Sequence, residues 1–278
     1  MKGLARRVKP GNPIPWMVQL SGSSNLADHP LTQTAHPDRE WDDTDATAIY
    51  EFLRSDDEHE PYPQRTAEVA VLTAAEETGV QAASVDAPCV IGTGTGLFNK
   101  SGYIIPALMG YVVHHGYGFT LNETANFGWV HVEDLADLYV LLLRAILECE
   151  DRGIGFIPSG KSGIISAAVE HVLVTEMVQS CLDTAFDAGV LPREGTSKGK
   201  EIRGVSLQEI ADEIMGGVVD LTERCWASHK VINGTVAKKL LGWNPTRLDE
   251  AWRKDCSDVL NTFKGGRKSY VTEIPTYK

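Results

Sequence analysis

A chain of 278 residues, 42% of them hydrophobic, is long enough to bury a large core, as one α/β domain or as a domain with a smaller lobe. Its formal charge of −12 argues against sequence-independent binding to nucleic acid, which needs a basic footprint. The five scattered cysteines, Cys89, Cys149, Cys181, Cys225 and Cys256, include no C-x-x-C pair, so neither a disulfide framework nor a zinc site is indicated, and the chain reads as a reduced cytoplasmic protein.

The N-terminus MKGLARRVKPGNPIP is basic but has no apolar stretch behind it. The longest apolar segment, residues 135–147, is interrupted by Asp137 and Arg144 and is too short to span a bilayer, so no membrane partner is expected. The first strand is predicted at residues 15–20, breaking into Ser21-Gly22-Ser23-Ser24, where hydroxyl side chains either cap a turn or meet a ligand. Residues 27–61 are acidic, proline-spotted and aperiodic, and are expected to form a long surface excursion with one helical turn near Ile49 and Leu53. His59 has no second histidine at the spacing of a metalloprotease helix.

Residues 62–96 organise the chain as helix, strand and glycine-rich loop. Small or apolar residues at Val69, Ala70, Leu72, Thr73 and Ala75 mark the helix, and Gly79 stops it. Residues 82–90, apolar apart from Ser84 and Asp86, read as one strand of a parallel sheet covered on both faces. The loop Gly92-Thr-Gly94-Thr-Gly96 follows at the carboxyl end of that strand, where open α/β sheets place their ligands. Its G-x-G-x-G spacing is not that of the dinucleotide fingerprint.

Further on, residues 103–115 predict a short helix closed by Gly116, and the pair His114-His115 lacks a carboxylate nearby in sequence to complete a metal site. Trp129 to Val132 predicts a brief strand, after which Glu133 and Asp134 favour a helix start. One more strand is expected at residues 153–159 and a long helix at residues 164–188. The remainder reads as helical, with a capping box at Ser206-Leu-Gln-Glu209 and amphipathic segments at 234–241 and 248–263 around Gly242-Trp-Asn-Pro245. Residues 155–162 match the phosphate-loop pattern G-x-x-x-x-G-K-S, which would make the chain an NTPase. The pattern requires a buried strand before it, and the charged residues that precede it argue for coincidence.

In this order, the strand ending SGSS, Tyr62 opening a helix in YPQRT, the APCVIGTGTG loop, WVHVEDLADLYVLLL and the late GWNP resemble an extended short-chain dehydrogenase/reductase. More narrowly the chain is similar to fungal proteins described as NAD-dependent epimerase/dehydratases or nucleoside-diphosphate-sugar epimerases. The resemblance implies an incomplete Rossmann-like parallel sheet over residues 1–160 and a smaller, mainly helical substrate lobe over residues 161–278. It begins in the middle of the family pattern: residues 1–14 correspond to the end of the family's fourth helix, and the G-x-x-G-x-x-G loop has no counterpart here. An in-frame upstream extension carrying that loop would mark a truncated gene.

By motif position the resemblance makes Ser23, with Ser24 as its alternative, the binder of the substrate oxygen and Tyr62 the general acid/base. Thr66 stands where the family has lysine, so Arg65, on the same helical face as Tyr62, is expected to lower the phenol pKa. Ala87, Pro88, Cys89 and Val90 match the backbone that lines the nicotinamide, and His131 and Asp134 match a supporting V-H-x-x-D segment. The implied cofactor is NAD or NADP, bound weakly or not at all by this chain alone. The implied partner is a small-molecule substrate, a nucleotide sugar or an aldehyde or ketone. A non-catalytic binding or regulatory remnant of the same fold is the alternative. Residues 16–20, lacking a family neighbour, are expected to form an apolar sheet edge that self-associates or is covered.

Overall fold

The structure, a computed structural model, describes residues 1–98, 100–148, 155–191 and 200–264. Its strands are β1 (Trp16–Gly22), β2 (Glu40–Asp42), β3 (Gln81–Ala87), β4 (Cys89–Ile91), β5 (Gly118–Thr120), β6 (Asn126–His131), β7 (Ile164–Ser166), β8 (Glu170–Leu173), β9 (Ile202–Gly204) and β10 (His229–Asn233). Its helices are α1 (Lys2–Ala5), α2 (Ala46–His59), α3 (Pro63–Thr78), α4 (Ile104–His115), α5 (Val132–Leu147), α6 (Val174–Asp187), α7 (Leu207–Ile214), α8 (Val219–Trp226), α9 (Val236–Leu241) and α10 (Asp249–Lys264). The expected α/β class is present. No helix among the described residues is long and apolar enough to cross a membrane.

One sheet runs β1-β3-β7 and a second β2-β10-β6-β4, all pairs parallel, with β8 antiparallel on β6. The run at residues 82–90, read from sequence as one strand, is two. Proline has no N–H for a ladder, and at Pro88 the chain leaves β1 and β7 and pairs as β4 with β6. That step joins the two sheets at the place where Ala87 to Val90 were expected to matter.

Alternation along β3 and β7 separates two cores. Ala83, Val85 and Ile165 pack with Leu138 and Leu142 of α5 and with Trp243, whereas Ile164 packs with Leu72 of α3 and with Ile49 and Leu53 of α2. A third core gathers Phe127 and Trp129 of β6 with α4, α6 and α10. β7, after residue 160, pairs with β3, before it.

The helix signals held where they were local. Gly79 and Gly116 close α3 and α4 in the left-handed conformation, as Gly242, not read as a stop, closes α9, and the Ser206 hydroxyl accepts from the Glu209 N–H at the start of α7. Four expectations need correction. Residues 27–61 contain β2 and the 14-residue α2, because Asp28 and Asp43 are not solvated but buried against backbone amides: the nearby His36 and the distant His229 for Asp28, and the distant Ser166, Thr235 and Val236 for Asp43. Of the strand expected at 153–159, residues 153 and 154 lie outside the described residues, and 155–159 form a turn leading to a 3-10 turn at Gly160–Ser162. The helix expected at 164–188 starts only at Val174, after β7 and β8. The C-terminal part is not all helical, since β10 runs through it as a central strand.

The face that α3 turns inward also differs from the expected stripe. Its buried residues are Arg65, Glu68, Leu72 and Ala75, spaced on one side of the helix but half of them charged. Both are satisfied: Glu68 accepts from Ser21 (2.8 Å), Asn25 (2.6 Å) and Ser84 (2.6 Å), and Arg65 is held by acids and a carbonyl at the end of α2 and by the Asn25 carbonyl.

Candidate functional site

Strand β1 ends in Ser21-Gly22 opposite Asp86-Ala87 of β3, and a 3-10 turn, Ser23–Leu26, carries the chain over the end of the sheet. Glu68 fixes this corner from below through Ser21 and Asn25, and the Gln64 side chain donates to the Gly22 carbonyl at 3.1 Å. Above the corner opens a cavity of about 350 Å³, lined by Ser21 to Ser24, Gln64, Ala87 to Val90, Gly102 to Ile104, Phe127, Cys225 and Lys230. Ser23, Ala87, Pro88, Cys89 and Val90, all singled out from the sequence, therefore meet at one place.

Tyr62 stands at the N-terminus of α3, and its phenol oxygen lies 3.2 Å from the Ser24 hydroxyl. Ser24 rather than the buried Ser23 makes the contact. Burial pushes the Tyr62 pKa above its ordinary value, while the Ser24 hydrogen bond and the nearby Arg224 cation pull against that shift. The Arg224 guanidinium lies 4.5 Å from the centre of the Tyr62 ring.

Arg65 does not do what its helical position suggested. Its fully buried guanidinium is ion-paired with Asp56, lies 3.6 Å from Asp57, and donates to the carbonyls of Asn25, Asp56 and Glu60. It locks α3 to the end of α2. The cation beside the phenol is Arg224 of α8, which sequence reasoning missed because nothing in its neighbourhood on the chain points to Tyr62. Thr66, in the lysine position, is exposed and bonds Asp57 and the Tyr62 carbonyl.

Lys230 of β10 was missed as well. It reaches the cavity wall buried, and its ammonium donates to the Arg224 carbonyl (2.7 Å), the Ser228 hydroxyl (2.9 Å) and the Cys225 carbonyl (3.3 Å). Burial brings its pKa down to about 8. Burial also pushes the Cys89 thiol well up, so Cys89 lines the cavity as a neutral group despite the lysine nearby.

The glycine loop is not a phosphate cradle. Gly92 donates its N–H to the Asp255 carboxylate at 2.8 Å and Gly94 donates to the Lys100 carbonyl at 2.7 Å, so both amides are committed. Gly92 has φ +88°, and a Cβ there would sit 2.2 Å from the His131 imidazole. His131 in turn caps α5 by accepting the Glu133 N–H, and Asp134 holds Arg247 (2.6 Å) and the Thr246 amide. The Trp243 indole donates to the Asp134 carbonyl at 2.9 Å, which fastens the GWNP segment to the start of α5. In the phosphate-loop match, the Lys161 amide donates to Glu76, its ammonium lies 3.6 Å from Glu51, and β7 follows where a helix would be required. That context does not support an NTPase.

No family model and no curated protein matches this sequence. Solved structures do match in fold. UDP-galactose 4-epimerase is 17% identical with a TM-score of 0.50, over 89% of this chain and 64% of that one. PbgP3 from Burkholderia pseudomallei is 13% identical with a TM-score of 0.52, over 95% and 66%. RMD from Pseudomonas aeruginosa, solved with NADPH, is 12% identical with a TM-score of 0.50, over 95% and 69%. The chain thus spans about two thirds of the length of these structures, and the likeness is one of fold: a Rossmann-like α/β architecture with parallel strands.

Proposed function

We propose that the cavity over the β1–β3 corner is the substrate end of an NAD(P)-dependent oxidoreductase or epimerase/dehydratase site of the short-chain dehydrogenase/reductase type. The observation that carries the reading is the 3.2 Å contact between the Ser24 hydroxyl and the Tyr62 phenol beside a cavity walled by Ala87 to Val90. The substrate is a small molecule with a reactive hydroxyl or carbonyl, such as a nucleotide sugar or an aldehyde or ketone.

In this reading Ser24, backed by Ser23, holds the substrate oxygen and Tyr62 moves the proton. A phenol whose pKa is raised by burial is a proton donor at neutral pH, so the site favours protonation of an alkoxide as it forms, the reductive direction. The bound nicotinamide would supply the hydride. Ala87 to Val90 fit its nicotinamide end, whereas the amides of Gly92 and Gly94 are committed and do not cradle its diphosphate. Affinity of the isolated chain for NAD(H) or NADP(H) is then on the order of millimolar, about −4 kcal/mol.

A second reading, a non-catalytic binding module in the same cavity, is favoured by the absence of any lysine beside Tyr62 in the α3 helix and by the commitment of Arg65 to Asp56. The experiment is NADPH-dependent reduction of a panel of small aldehydes and ketones by the wild type and by Tyr62→Phe, with calorimetry of NADPH. Turnover lost in Tyr62→Phe with the fold intact supports the enzyme. Turnover indifferent to Tyr62→Phe removes it, and micromolar NADPH binding would mean the diphosphate is held elsewhere.

A further inference from the structure

Outside the cavity, His29 is buried in the loop that follows the Ser23–Leu26 turn, its side chain only 9% exposed, and its Nε2 has no hydrogen-bond partner. A buried imidazole nitrogen without a partner carries a desolvation cost that nothing in the fold offsets. Around it stand carboxylates from two other elements: Glu60 Oε2, at the end of α2, 3.9 Å from Nε2, and Asp220 Oδ1 and Glu223 Oε2, both of α8, at 3.9 and 3.6 Å from Nδ1.

The three acids differ in how far they are already used. Glu223 is buried and accepts from the Leu31 amide and from the amide and hydroxyl of Thr32, so it is background charge. Glu60 and Asp220 are 41% and 47% exposed and can rotate. Their present partners are Arg224, which meets both Asp220 oxygens through Nε and lies 3.7 Å from Glu60, and Gln33, which donates to Glu60. With the imidazole counted as neutral, three carboxylates face one guanidinium, leaving a local charge of about −2, which is the charge of one divalent cation.

We propose that His29, Glu60 and Asp220 form a binding site for one divalent transition cation of the zinc class. One ligand atom from each lies within 4.8 Å of the others. An ion takes one imidazole nitrogen, and metal–ligand bonds of 2.0–2.2 Å in a tetrahedral shell separate ligand atoms by about 3.4 Å, so gaps of up to 4.8 Å close by at most about 1.4 Å, within the reach of rotating the two exposed acids. Nitrogen from imidazole selects a zinc-type ion over magnesium, which takes oxygen ligands and keeps its waters. The buried histidine is the fixed anchor, and the exposed acids leave an entry path and a fourth position for water. Bound there, the ion ties the end of α2, two residues from Tyr62, to the helix that carries Arg224 and Cys225. The sequence hides this site because its three ligands lie in three separated segments with no motif spacing.

Calorimetric titration of the 278-residue protein with ZnCl₂ and, separately, MgCl₂ tests it without reference to any enzymatic activity. The expected result is one equivalent of Zn²⁺ bound at micromolar affinity or tighter and no Mg²⁺ binding at the same concentrations. Asp220→Asn and Glu60→Gln, both on exposed side chains, should each weaken Zn²⁺ at least tenfold with an unchanged circular dichroism spectrum, as should His29→Gln. His115→Gln, which breaks the other histidine–carboxylate pair, with Glu213 at 2.8 Å, should leave binding unchanged. The proposal is overturned by the absence of a saturable Zn²⁺ site, by a site that survives Asp220→Asn and Glu60→Gln, or by equal affinity for Mg²⁺.

Discussion

Arg224 and Tyr62 are stacked, the guanidinium 4.5 Å from the ring centre, whereas Arg65, three residues after Tyr62 in the chain, spends its charge on Asp56 and Asp57. The two arginines therefore have separable roles. Arg65→Ala should destabilise the fold by roughly 2–4 kcal/mol, since it strips a buried guanidinium from three carbonyls and from Asp56, itself 37% exposed, and leave the Tyr62 titration where it was. Arg224→Gln should raise the Tyr62 pKa further, since it removes the attraction to the phenolate. Urea unfolding and ultraviolet titration, with Tyr62→Phe as the difference reference, check both. A Tyr62 titration that moves in Arg65→Ala but not in Arg224→Gln would reverse the assignment.

Lys230 gives the protein a stability that rises with pH in the alkaline range. Its folded pKa of about 8 lies below the ordinary lysine value. Below pH 8 both folded and unfolded states carry the proton, and the fold bears the full cost of a buried ammonium. As pH climbs from 8 toward 10.4 the folded state releases the proton and the unfolded chain keeps it, so stability increases. Relative to Lys230→Met, the wild type should gain about 2–3 kcal/mol between pH 7 and pH 10 in urea unfolding, and a difference that stays flat would show a normal lysine.

Asp86 is expected to work against the fold at neutral pH. It is buried on β3, its Oδ2 has no hydrogen-bond partner, and burial together with the charges of Glu68 and Asp43 holds its pKa well above the ordinary carboxylate range. For an acid shifted this way, stability is present at low pH and is lost as pH rises from the unfolded pKa through the folded one. Asp86→Asn should therefore stabilise the protein at pH 7 by on the order of 1 kcal/mol or more, a gain that disappears near pH 3. A loss of stability at pH 7 would mean that the carboxylate has a partner in solution.

β1 pairs on one side only among the described residues, with β3, and Leu20 on it is 61% exposed. Beside it, Val140 and Leu143 of α5 are 59% and 56% exposed and share a shallow apolar cavity with Val18. An open apolar edge of this kind recruits another strand. Sedimentation should show concentration-dependent association that Leu20→Lys abolishes, because a charge on the edge strand blocks pairing. A monodisperse monomer at high concentration, with fast-exchanging amides at residues 17–20, would rule the association out.

The sequence alone determined what depends on near neighbours. The glycines that close α3 and α4, the cap at Ser206, the strand near Trp16, the helix start near Glu133 and the α/β class all follow from periodicity and capping within one or two turns of chain. The gathering of Ser23, Tyr62 and Ala87 to Val90 at one corner was legible only through the order of motifs. Tertiary structure decided the rest, because it turns on where charge is compensated. Asp28 and Asp43 made residues 27–61 look solvated until amides some 120 to 200 residues away accepted them into the core. Lys230 disguised a central strand until two backbone carbonyls and Ser228 received its ammonium. The part expected of Arg65 falls to Arg224, to which the sequence assigned none, because a guanidinium goes where buried carboxylates and carbonyls lie in space, and spacing along a helix carries no record of those positions.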